Sequence, residues 1–109
     1  MNKFDSKLEK TFSKLLDKAG IKWINQFKIG RKRYDFYLPD SDTIIEVDGD
    51  YWHGNVITEN YIDKPFKKKI FKNDALKNIM AEQAGFRLIR IWETDIKTMT
   101  VSQLKDLLK

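Results

Sequence analysis

No cysteine occurs in the 109 residues, which excludes a disulfide framework and any thiolate metal centre. Histidine occurs once, at position 53, so a structural zinc held by cysteine and histidine is not expected either. With only two prolines and five glycines, no linker, repeat or low-complexity tract interrupts the chain. No apolar run approaches the length of a membrane span, and the polar start MNKFDSKLEK lacks the apolar core of a signal peptide. The expectation is a cytoplasmic, intracellular address with no membrane partner.

What is present is a globular composition, 41% hydrophobic and 13% aromatic, in a length that suits one domain with a real core. Lys and Arg number 21 against 16 Asp and Glu, a formal charge of +5. Such a balance makes a polyanion the first partner class to consider.

The organising stretch runs from Arg33 to Gly54. Two strand-like runs, Tyr34 to Leu38 and Thr43 to Val47, flank the turn-favouring Pro39-Asp40-Ser41-Asp42, which predicts a hairpin. Period-two alternation places Tyr34, Phe36 and Leu38 on one face with Asp35 on the other, and puts Glu46 and Asp48 on a common face.

Around this hairpin, Leu8, Phe12, Leu15, Leu16 and Ala19 recur at helical intervals before Gly20, with Ser6 and Glu9 at capping-box spacing. Glu9 borders the apolar stripe, so it either caps its own helix or looks toward the core. Ile21, Trp23, Asn25, Phe27 and Ile29 alternate as a strand does, and Gly30-Arg31-Lys32-Arg33 forms a basic turn, either a solvated loop or a phosphate grip. After Gly54 the aperiodic segment to Pro65 reads as a loop. A long helix is predicted over residues 66–84, with Phe66, Ile70, Ala75, Ile79 and Met80 on one stripe and Lys67, Lys68, Lys69 and Lys72 around it. The lysines form a solvated face or a track for a nucleic-acid backbone. Asp74, a poor helix former in mid-helix, could pair with Lys77 or Asn78. The run from Phe86 to Trp92 predicts an interior or mixed-sheet strand. Thr94-Asp95 offers a cap or turn, and Val101, Leu104, Leu107 and Leu108 fit a closing helix. The predicted order is helix, three strands, helix, strand, helix.

Carboxylates at Asp35 and at Glu46 or Asp48, on paired strands, suit a hard divalent cation such as Mg2+, with Mn2+ as a substitute and the Val47 carbonyl as a further oxygen. For phosphodiester hydrolysis such an ion stabilises charge on the scissile phosphate, and a nearby His53 has work as a base or acid. The alternative is that His53 is a packing or surface histidine.

Asp35, ten intervening residues, then Glu46-Val47-Asp48 resembles the PD-(D/E)XK nuclease core, with Asp48 where that pattern usually has lysine. The segment Ile44 to His53, with Gly49-Asp50-Tyr51-Trp52-His53, resembles the Gly-x-aromatic-Trp-His signature of the very-short-patch-repair (Vsr) endonucleases. Leu8-Glu9-Lys10, Arg33 to Phe36, Asp74 eleven residues before Gly85, and Gly85 through Glu93 resemble further blocks of that family in order, spanning residues 8 to 93.

The resemblance implies an α/β fold of the restriction-endonuclease-like kind, a mixed β-sheet flanked by α-helices, in a single nuclease catalytic domain over residues 1–109 that could be part of a longer protein. It implies Asp35 as principal metal ligand beside the Val47 carbonyl, His53 in proton transfer, and Glu9 and Asp74 orienting waters and His53. The set Glu9, Asp35, His53 and Asp74 is similar to the Glu-Asp-x-His-Asp pattern of a Vsr-like branch that includes phage and intron homing endonucleases, a bacterial or phage-type context.

The Vsr repair enzymes have a second histidine where this chain has Asp48, an apolar residue at the place of Glu46, and mismatch-wedging aromatic elements with no counterpart here. The expected function is therefore a Mg2+-dependent endonuclease acting on double-stranded DNA, of homing type, with Arg31, Lys32, Arg33 and the lysines from Lys67 to Lys72 on the backbone. Base reading would fall to a homodimer or an additional DNA-binding domain. The alternatives are a repair or structure-selective nuclease and a non-catalytic nucleic-acid-binding module.

Overall fold

The computed structural model describes residues 6–49 and 65–109. The chain runs α1 (Ser6–Lys18), β1 (Ile24–Ile29), β2 (Lys32–Leu38), β3 (Thr43–Asp48), α2 (Pro65–Gln83), β4 (Arg87–Trp92), α3 (Glu93–Thr98) and α4 (Val101–Leu107). The four strands form one mixed sheet in the order β1-β2-β3-β4. The first three are antiparallel neighbours, and β4 pairs parallel to β3. The fold is the expected mixed α/β one.

Every residue of β3 is buried, as a strand covered by helices on both faces must be. One face carries α1, α3 and α4, whose Phe12, Leu16, Ile96 and Leu104 close over Phe36, Leu38, Ile45, Val47 and Ile91. The other carries α2, whose Ala81 meets Tyr34 and Ile44, with Phe27, Ile29 and Tyr37 packed alongside. The β1–β2 turn is tight because Gly30 takes a φ of 59° as the first of its two turn residues, the position at which a type II′ hairpin needs glycine. At the far end Arg87 donates to the carbonyl of Leu107, the last residue of α4, and to those of Leu108 and Lys109 just beyond it, complementing the negative end of that helix.

Three expectations are corrected. Tyr34 does not share a face with Phe36 and Leu38: it packs under α2, whereas they pack under α1. Ile21 and Trp23 likewise belong to the α1 side, and Phe27 and Ile29 to the α2 side. Both changes of face have one cause. The β1–β2 ladder pairs Asn25 with Phe36 and Phe27 with Tyr34, but the pair between them, Gln26 and Asp35, is missing. Gln26 has a φ of 56°, and this turn of the backbone shifts the alternation by one residue in β1 while β2 shifts opposite it.

The second correction concerns α2. Ile79 is 52% exposed and Leu76 46%, so the apolar stripe drawn through Ile79 does not face the sheet. The inward row is Asp74, Lys77, Asn78 and Ala81, at the i, i+3, i+4, i+7 spacing of a helix face. Its polar members reach Tyr34, Glu46 and Arg90 instead of an apolar core. The third is Thr94-Asp95, which lies inside a short helix, α3, rather than forming only a turn. The predicted loop lies almost wholly outside the described residues.

Candidate active site

The missing ladder pair leaves Asp35 with hydrogen bonds to fill, and side chains fill them. Its main-chain N–H donates to Glu46 Oε2 at 2.7 Å, and its carboxylate Oδ2 accepts from the main-chain N–H of Val47 at 2.8 Å. Its carbonyl accepts from the Asn25 amide at 2.9 Å. The β1–β2 ladder is thus open at Asp35, where the Asn25 amide bridges it, and Asp35 and Glu46 tie β2 to β3 just beyond their last paired rung, Phe36 with Ile45.

Glu9, from α1, reaches the same point. It is buried, and its Oε1 accepts from both Asn25 Nδ2 and Gln26 Nε2 at 3.0 Å. On the opposite side, the Lys77 ammonium of α2 donates to Glu46 Oε1 and lies 4.8 Å from the centre of the Tyr34 ring. The Tyr34 hydroxyl in turn donates to the main-chain carbonyl of Lys77 at 2.8 Å, which fixes that turn of the helix.

Deeper along β3, Asp48 is held by Arg90, whose Nη1 lies 3.1 Å from each of its carboxylate oxygens. The same guanidinium binds Asn78 Oδ1 at 2.9 Å and the Asp74 carbonyl at 3.2 Å, and its Nη1 lies 3.7 Å from Asp74 Oδ1. Arg90 therefore joins two predicted site carboxylates, Asp48 and Asp74, into one partly buried network.

A cleft of about 930 Å3 opens over this region, lined by Glu9, Gln26, Asp35, Glu46, Asp48 and Asp74 among others. Cations stand in it as well: Lys7, Arg33, Lys77 and Lys97. Burial, and next the charge of Glu46, push the Asp35 carboxyl up to about 9. The Val47 N–H counters this, Glu9 adds to it, and Lys77 opposes it more weakly. Loss of water around the carboxyl, with neighbouring negative charge second, is what raises it in this way.

Of the predicted site residues, Glu9, Asp35, Glu46, Val47, Asp48 and Asp74 all line this cleft. His53 and the side chains of Lys67 and Lys68 lie outside the described residues. Of the predicted backbone-binding residues, Arg33 lines the cleft; Arg31, Lys69 and Lys72 are exposed away from it, and Lys32 is tied to Asn73. Among the described residues, no three acidic or imidazole groups gather closely enough to cage an ion by themselves. Asp35 and Glu46 are still a fitting donor set for Mg2+, which keeps several waters and needs only one or two carboxylates.

Sequence reasoning missed Asn25, Gln26, Lys77 and Arg90. Lys77 had a signal: a helical row of polar residues on α2 facing acidic residues on a buried strand.

The fold resembles the catalytic domain of a homing endonuclease. Superposition on the homing endonuclease I-Bth0305I catalytic domain gives a TM-score of 0.61 at 20% identity, over 93% of this chain and 88% of that one. No family model matches the chain, and no curated protein matches it by sequence. Among the described residues, no helix is long and apolar enough to cross a membrane.

Proposed function

We propose that the chain is a divalent-metal-dependent DNA endonuclease domain of homing type, related to the Vsr-like branch of the PD-(D/E)XK nucleases. The observation that carries this reading is the pairing of Asp35 with Glu46 at a break in the sheet, inside a cleft that also presents Lys7, Arg33, Lys77 and Lys97. Likeness of fold to a homing endonuclease catalytic domain supports it.

Asp35 and Glu46 would hold Mg2+ or Mn2+, with the Val47 carbonyl as a further oxygen. Such an ion, when bound, stabilises negative charge on a scissile phosphate and acidifies water. The rest is work for the chain's own groups. Glu9, oriented by two amides, accepts a hydrogen bond from a water entering the cleft. His53 carries the proton in the role that the sequence resemblance gives it.

Lys77 brings an ammonium to the carboxylate of Glu46 from the helix, and so supplies the charge that the PD-(D/E)XK pattern places at the position of Asp48. Asp48 and Asp74 are engaged by Arg90 and act on the site by fixing β3 and α2 rather than by holding the ion. Arg33, Lys7 and Lys97 neutralise DNA phosphates without reading sequence. Base reading falls to a second copy or to a further domain.

Supercoiled plasmid incubated with and without Mg2+ or Mn2+ tests this. Wild type should nick only with metal, and Asp35→Ala and His53→Ala should each lose most of that activity. Metal-independent nicking, or nicking unchanged by both substitutions, would overturn the reading.

A further inference from the structure

Gln26 combines two features that seldom coincide. It stands within a strand at a φ of 56°, a conformation that costs a non-glycine residue and persists only where surrounding structure enforces it. Its side chain points into the cleft and donates to the buried Glu9 carboxylate at 3.0 Å. In regular strand conformation Gln26 would occupy the missing rung opposite Asp35. The left-handed turn of its backbone opens that rung and, in the same step, brings its amide to Glu9.

We propose that Gln26 is a positioning residue of the cleft, held in a strained backbone so that its amide fixes the Glu9 carboxylate in line with Asp35. Asn25 braces the arrangement from the neighbouring position, one amide nitrogen joining Glu9 Oε1 to the Asp35 carbonyl. The two amides on one oxygen leave the carboxylate of Glu9 little freedom to rotate. The proposal rests on the endonuclease reading for what Glu9 does, but not for why Gln26 is strained.

Gln26→Gly separates strain from function, since glycine adopts the same backbone without steric strain and carries no amide. It should bind Mn2+ about 10-fold more weakly and nick plasmid with kcat reduced roughly 10- to 100-fold, the range for residues that orient a metal site. KM for DNA should stay within about twofold of wild type. In a Glu9→Ala background, Gln26→Gly should lower kcat no further, because its effect passes through Glu9.

A Gln26→Gly protein with wild-type kcat and Mn2+ affinity would overturn the proposal, as would equal losses with and without Glu9. If wild type nicks nothing under any metal, the endonuclease reading fails. Gln26 is then judged by Mn2+ affinity alone, and no weakening of Mn2+ binding counts against it.

Discussion

The Asp35 and Glu46 side chains stand in for the ladder bonds between their strands: the Asp35 N–H donates to Glu46 Oε2 at 2.7 Å, and the Asp35 carboxylate takes the next N–H along β3, at 2.8 Å. Sheet integrity and an acidic pair are thereby the same structure. Substitutions here consequently read out in both stability and chemistry, with signs that differ from residue to residue.

Asp35→Asn should stabilise the protein while removing activity. Because the folded-state carboxyl lies at about 9, above its ordinary 3.8, the native state binds the proton more tightly than the unfolded chain. Its contribution to stability is fully present below pH 4 or so and is lost as pH rises toward about 9. Asparagine keeps an acceptor for the Val47 N–H without the charge. At pH 8 its Tm should exceed that of wild type by roughly 4–8 °C, the shift that ~1 kcal/mol makes in a domain near this size, and the gap should close by pH 4. Melting both proteins across that range decides it; a gap that widens in acid would refute the assignment.

Lys77 and Glu46 form a buried ion pair, their side chains 12% and 6% exposed. Removing one partner of such a pair strands the other charge. Lys77→Met should therefore cost ~3 kcal/mol in urea unfolding, the scale measured for broken buried pairs. The double change Lys77→Met with Glu46→Gln should recover most of the loss. If the double variant is as unstable as the single, the pair is not what holds this side of the site.

Arg90 serves Asp48, Asn78 and the Asp74 carbonyl from one planar group. Lysine offers a single point charge and cannot span those acceptors. Arg90→Lys should lose ~2 kcal/mol, about what one or two stranded charged acceptors cost, and thermal melting at neutral pH would show it. A Tm within a degree of wild type would mean the network is dispensable.

Salt dependence separates the cleft cations from the rest of the basic surface. Arg33→Ala should flatten the plot of log affinity for duplex DNA against log salt by about 0.9, one phosphate contact, equally for unrelated sequences. Lys69→Ala and Lys72→Ala, which lie away from the cleft, should leave the slope nearly unchanged. Equal effects from all three would move the DNA path onto α2.

Much of the fold was legible because it obeys simple periods. Phe12 and Leu16 follow helical spacing into the core, and Thr43 to Asp48 form a wholly buried strand. The acidic members of the site were legible too, as carboxylates on strands rich in apolar residues. What the period hid was its own interruption: Trp23, Phe27, Tyr34 and Phe36 continue an apolar alternation straight through Gln26 and Asp35, so nothing in composition marks the change of face. The α2 row was hidden for the opposite reason. Apolar matching selects Ile79, whereas the sheet-facing positions are polar because their partners are charged.

Because the sheet's two sides trade places at that interruption, the β1–β2 hairpin belongs to both cores at once: Phe36 meets the rings of Phe12 and Trp23 on one side, and Phe27 and Tyr37 stack on each other with Phe86 edge-on to both on the other. It works as a rivet through three layers, with the carboxylates at its shank. Neither layer can loosen without disturbing the other. The acidic cluster should accordingly survive intact until the whole domain melts, and then disappear in a single step.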